Sequence, residues 1–164
     1  MGTRQLFISN SMNDADWVGN VRNQIERAGL TAYLAVHDVE PGHAVVDKIK
    51  TAIDASAAVI VVLTENATAS TWVQQEIGYS SRAGKLVVPL VSPAVAATPE
   101  VLGMLNGVEY VKFDPEDPEP GLQALGSWAI RFEDLIRQKD QQELLFVLAG
   151  VLLVVAMIGL SQDG

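Results

Sequence analysis

Ala57 to Leu63 reads A-A-V-I-V-V-L, a run without a polar side chain and rich in β-branched residues. A strand with one wet face alternates apolar and polar positions, whereas a strand apolar on both faces must be covered on both. That is the condition of a strand inside a parallel sheet with helices above and below it. The rest of the chain therefore has to supply companion strands and covering helices.

It does so in alternation. Gln5 to Ser9 (Q-L-F-I-S) reads as a buried strand, and Ala15 to Ala28 carries Trp17, Val18, Val21, Ile25 and Ala28 at helical spacing before Gly29 stops it. Leu30 to Val36 is a second strand. After the turn signal Glu40-Pro41-Gly42, Val45, Val46, Ile49, Ala52 and Ile53 mark a second helix. A third helix is expected from Thr68 to Ala83, ended by Gly84, with Val73 and Ile77 on its buried stripe. Lys85 to Val91 and Val108 to Phe113 read as strands four and five, separated by a proline-containing connection, and a last helix from Gly121 to Lys139 carries Leu122, Leu125, Ala129, Phe132 and Ile136 on one face. This order predicts right-handed crossovers and an α/β fold: a five-stranded, doubly wound parallel sheet of flavodoxin-like order 2-1-3-4-5. In that order a crevice opens between strands one and three at their C-terminal ends, bordered by Asn10 to Asp14 and Thr64 to Thr71.

The chain has 164 residues, enough for one ordinary domain, and a formal net charge of -9. No basic patch offsets that charge, so nucleic acid is excluded as a partner. There are no cysteines, which removes disulfides, thiolate metal sites and cysteine nucleophiles together. No apolar leader follows Met1, and Leu6 occupies the position where an N-myristoylation signal needs Ser or Thr.

The last segment differs in kind. Leu144 to Leu160 contains no charged or hydrogen-bonding side chain, and extended to Gln162 a helix would span roughly 28 Å at about 1.5 Å per residue, close to a bilayer's hydrocarbon core. The expected organisation is a domain over residues 1–139, a short polar linker over 140–143 and a single membrane-spanning helix over 144–162. Arg131, Arg137 and Lys139 precede the span and no basic residue follows it, which places the domain in the cytoplasm and makes a lipid bilayer a partner.

Nucleotide-binding signatures are missing: there is neither G-x-G-x-x-G after a strand nor G-x-x-x-x-G-K-[ST]. The loop Ser9-Asn10-Ser11-Met12-Asn13-Asp14 is rich in hydroxyls and amides that can cap a helix or hold a phosphate. His37 and His43 flank Asp38 and Glu40, but without helical ligand spacing they read as a solvated turn, and no metal is expected. The sharper feature is Trp72 and Glu76, W-x-x-x-E on the third helix. Glu76 falls at the edge of the stripe formed by Val73 and Ile77, overhanging the crevice. A carboxylate there is costly to desolvate unless something pairs with it, and such groups serve as catalytic devices.

Together these stretches resemble a TIR domain, the Toll/interleukin-1 receptor module, over about residues 4 to 137. Leu6-Phe7-Ile8-Ser9-Asn10-Ser11 resembles its first box, Asp38-Val39-Glu40-Pro41-Gly42 the D-x-x-P-G of its BB loop, and Trp72 to Glu76 the W-x-x-x-E of NAD-cleaving members. The first box lacks an acidic residue before its aromatic, which favours a microbial type over a receptor adaptor. The resemblance implies that Glu76 is catalytic, that Trp72 with Ser9, Asn10 and Ser11 faces substrate, and that Asp38, Pro41, Gly42 and His43 serve self-association. NAD+ is then a substrate and no cofactor is needed. Nicotinamide leaves the cationic pyridinium as a neutral molecule, so one carboxylate beside the developing oxocarbenium ion suffices. Hydrolysis and cyclisation both remain open. The implied role is a membrane-anchored, self-assembling defence effector against phage. The alternatives are a non-catalytic TIR assembly module and an enzyme resembling nucleoside deoxyribosyltransferases.

Overall fold

The structure is a computed structural model that describes residues 3–34, 43–98 and 110–162; for Asp16, Trp17, His43, Ala44, Glu143, Leu144 and 146–162 it describes the backbone only. Strand β1 (Gln5–Ser9) leads through a 3-10 turn (Met12–Asp14) into helix α1 (Ala15–Arg27), followed by β2 (Thr31–Leu34), α2 (His43–Ala55) and β3 (Ala58–Leu63). The chain continues with a one-turn helix α3 (Glu65–Thr68), α4 (Thr71–Arg82), β4 (Leu86–Val91), a second one-turn helix α5 (Pro93–Ala96), β5 (Val111–Lys112) and α6 (Glu119–Gln162). The five strands form one sheet in the order β2-β1-β3-β4-β5, and every pair is parallel.

The apolar run that demanded two covers receives them. Val59 and Val61 face one core with Phe7, beneath Ile49 and Ile53 of α2 and Val73 and Ile77 of α4. Ala58, Ile60 and Val62 face the other with Leu6 and Ile8, beneath Val21 and Ile25 of α1 and Leu122, Leu125 and Ala129 of α6. Every residue of β3 is buried. At about 25 cal/mol per Å² of apolar surface removed from water, this double burial is the main term that holds the sheet together.

Helices α1 and α4 end where glycines permit a left-handed turn: Gly29 has φ 84° and Gly84 has φ 66°. The third helix does not start at Thr68. Thr64 caps α3 by accepting from the Ala67 amide, and Ser70 caps α4 by accepting from the Val73 amide, so the expected crevice loop is itself partly helical. Strand five is shorter than expected; its ladder ends with the Phe113 amide donating to the Val91 carbonyl at 2.9 Å, and Val108 and Glu109 lie outside the described residues.

Helix α6 also departs from expectation. It begins at Glu119 and runs unbroken to Gln162, so residues 140–143 are helix rather than linker. Arg4 at the start of the chain pairs with Glu133 of α6 at 3.3 Å and with Asp140 at 3.6 Å, which ties the segment around 140 back to the domain. Among the described residues no helix is long and apolar enough to cross a membrane; the side chains of nearly all of the span expected over 144–162 lie outside them.

Candidate functional site

Ser9 follows Phe7 by two positions, so its side chain points to the sheet face covered by α2 and α4. On α4 the buried residues are Val73, Glu76, Ile77 and Ser80. Glu76 is therefore within the buried stripe, deeper than the edge position that periodicity gave it, and only 2% of it is exposed. The two meet: the Ser9 hydroxyl donates to Glu76 Oε2. Burial pushes the Glu76 carboxyl up from an ordinary 4.5 to about 7, while the Ser9 hydrogen bond holds it down against that trend. A group poised near neutrality can be neutral when empty and ionised when a cation arrives.

The loop after β1 is held from its far end. Asp14, 2% exposed, accepts from Thr64 Oγ1 at 2.6 Å and from Asn66 Nδ2 at 2.9 Å. This carboxylate joins the two loops that border the β1/β3 switch point, so the crevice expected between them is bridged. Asn10 donates through Nδ2 to the Ser11 carbonyl at 2.9 Å, and its Oδ1, although buried, has no hydrogen-bond partner among the described residues. Ser11 accepts weakly from the Asn13 amide at 3.4 Å and so acts as a cap.

Among the described residues, a cleft of about 540 Å³ opens between α2 and α4. Val46, Ile49, Lys50 and Ile53 form one wall; Trp72, Gln75, Glu76, Gly78, Tyr79 and Arg82 are among the residues of the other. The structure thus brings Ser9, Glu76 and Trp72 into one region, while Asn10 and Ser11 stay in the bridged loop. Asp38, Pro41 and Gly42 lie outside the described residues; His43 opens α2, and its side chain is likewise outside them. Among the described residues no group of three or more His, Asp or Glu side chains gathers as a metal site. Sequence reasoning passed over Asp14 as a bridge and Lys50, Tyr79 and Arg82 as cleft residues. Their i, i+3, i+4, i+7 spacing along α2 and α4 was the available signal.

A five-stranded parallel sheet in the order 2-1-3-4-5, covered by helices on both faces, defines the class of flavodoxin-like α/β domains. Within that class the chain belongs to the TIR domain family, whose model matches residues 6–125. The chicken (Gallus gallus) Toll-like receptor 2 type-2 and type-1 are each 36% identical over 77 residues, 45% of this chain and 10% of theirs. The chain thus matches about a tenth of the length of these relatives. Among solved structures, the TIR domain of the Toll-related receptor TRR-2 from Hydra magnipapillata has a TM-score of 0.59 at 23% identity, covering 77% of this chain and 97% of that one. The Clostridium botulinum CMP N-glycosidase BcmB has a TM-score of 0.58 at 18% identity, covering 74% and 97%. These two likenesses establish the fold.

Proposed function

We propose that this TIR domain is an NAD+ nucleosidase in which Glu76 is the catalytic carboxylate. The observation that carries the reading is the Ser9–Glu76 pair, a carboxyl buried at the end of β1, pushed up to about 7 and bordering a cleft that also contains Trp72. An oxidised nicotinamide is a cation; its approach favours the ionised carboxylate, so the substrate itself recruits the charge that the reaction needs. The bond from C1′ to the pyridinium nitrogen then breaks, and its electron pair leaves with neutral nicotinamide. The cationic sugar carbon that develops is stabilised by the Glu76 carboxylate in a water-poor setting, where a fixed charge acts strongly. Water adds to C1′ and releases a proton, giving ADP-ribose; attack by the adenine or its ribose instead gives a cyclic isomer. That the same fold occurs in a CMP N-glycosidase supports N-glycosidic cleavage as chemistry this architecture can host.

The test is to incubate the full chain with NAD+ and follow nicotinamide by chromatography. Release without an acceptor base is expected. Absence of release from concentrated, assembled protein would leave an assembly module, and exchange of bases on a deoxynucleoside would indicate a deoxyribosyltransferase. The reading extends to assembly through the Asp38–His43 segment and to anchoring of residues 144–162 in a bilayer, supported by the apolar run and by the unbroken backbone of α6. It follows that specific activity should rise with protein density, and that the full chain should pellet with membranes. Full-length protein recovered in the supernatant of lysed cells without detergent would remove the anchor, and with it the phage-defence role at a membrane.

A further inference from the structure

On a chain with net charge -9, the cleft beside Glu76 is lined by two cations, Lys50 on α2 and Arg82 on α4, on opposite walls. Both are exposed. Lys50 Nζ sits 5.8 Å from the centre of the Tyr79 ring, which steadies the ammonium at the cleft wall. The nearby carboxylate, Asp54, is engaged by the Tyr79 hydroxyl at 2.8 Å, and its backbone carbonyl accepts from Lys85. Arg82 lies six residues beyond Glu76, about 9 Å along the helix axis at roughly 1.5 Å per residue.

Gly78 lines the same wall, beside Arg82 and about 40° further around the helix. A methyl group there would meet nothing within 4 Å, and its φ lies outside the left-handed range. Neither packing nor backbone conformation calls for glycine at this point, yet glycine inside a helix is less stable than alanine by roughly 1 kcal/mol. Its effect is to leave the α4 wall of the cleft low beside Arg82.

We infer that the α2–α4 cleft is a nucleoside-diphosphate subsite, in which Lys50 and Arg82 hold the diphosphate from opposite sides over the low wall at Gly78. This rests on the reading of Glu76 as the group that works on the nicotinamide ribose, and it deepens that reading by selecting dinucleotides over nucleosides. Arg offers a planar fork to a phosphate and Lys a point charge, so the pair suits a bridging dianion.

Titration calorimetry of the full chain with ADP-ribose, adenosine and inorganic pyrophosphate tests this, because binding of the product needs no turnover. ADP-ribose should bind at least tenfold more tightly than adenosine, with pyrophosphate competing. The double variant Lys50→Ala/Arg82→Ala should lose tenfold or more in ADP-ribose affinity and little in adenosine affinity. Gly78→Val should weaken ADP-ribose while circular dichroism and the melting temperature show an intact fold. Equal ADP-ribose affinity in wild type and double variant, equal affinity of wild type for adenosine and ADP-ribose, or no ADP-ribose binding at millimolar concentration would each overturn the inference. Nicotinamide release is scored separately: release with cation-independent binding sinks the subsite alone, whereas cation-dependent binding without release sinks the nucleosidase and leaves the subsite.

Discussion

Replacing Glu76 by Gln separates catalysis from stability, because the two should move in opposite directions. In the folded chain the carboxyl is pushed from 4.5 to about 7 by burial. A raised value means that the folded state holds the proton longer than the unfolded state does. The associated stability is therefore fully present below about 4.5, falls as pH rises between 4.5 and 7, and is absent above that. At roughly 1.4 kcal/mol per pH unit, the rise from 4.5 to about 7 amounts to about 3.5 kcal/mol. Glutamine keeps the volume and the acceptor for the Ser9 hydroxyl but never ionises, so the variant should match wild type at pH 4.5 and exceed it by about 3.5 kcal/mol at pH 8. Its rate of nicotinamide release should fall at least about a hundredfold, the usual cost of one preorganised electrostatic group. Denaturant unfolding of both proteins at the two pH values, beside chromatographic assay of nicotinamide, reads both effects. A variant that is less stable than wild type at pH 8 and turns over at the wild-type rate would refute the reasoning.

Three further outcomes follow from the same geometry. Activity, measured as kcat/KM, should rise with pH through about 7 as Glu76 ionises, and Ser9→Ala should move that rise to higher pH by removing the hydrogen bond that favours the charged form; a profile that stays in place would assign the ionisation to another group. Asp14→Ala strands the hydroxyl of Thr64 and the amide of Asn66 and should lower stability by about 2 kcal/mol, read as an earlier urea midpoint with unchanged slope. Gly121→Ala should lose about 2 kcal/mol despite the better helix propensity of alanine, because the new methyl would stand 2.7 Å from the Lys112 carbonyl oxygen and 2.9 Å from Phe113 Cδ2; an unchanged melting temperature would contradict that packing.

What was legible in the sequence was whatever depends on neighbours along the chain. The uniform apolarity of Ala58–Leu63, the alternation of strands with 3.6-period stripes and the glycine stops at Gly29 and Gly84 led to the sheet order that is observed. The break between α3 and α4 was also written locally, in the capping side chains of Thr64 and Ser70, but helical periodicity across Thr68 overrode it. The site was harder to read. Periodicity alone put Glu76 on a margin; its true depth depends on Ser9, which lies 67 positions earlier. Asp14 looked like one more cap because its partners are 50 and 52 positions away. Contacts of that range are set by how strands one and three come together, which no local pattern encodes. The extent of α6 escaped for a related reason: polar residues near 140 resembled a linker, whereas Asp140 answers Arg4 across the fold.

The two cores of the sheet have an unequal relation to the ends of the chain. The cleft and Glu76 belong to the face beneath α2 and α4, whereas α6, which carries the C-terminal run, packs with α1 on the opposite face. A handle placed at the C-terminal end, such as a fusion partner, a bead or a sensor chip, is thus attached through the back of the sheet. Such a handle leaves the front open to solutes, and copies of the domain can be crowded on a surface to any density that their own front faces tolerate.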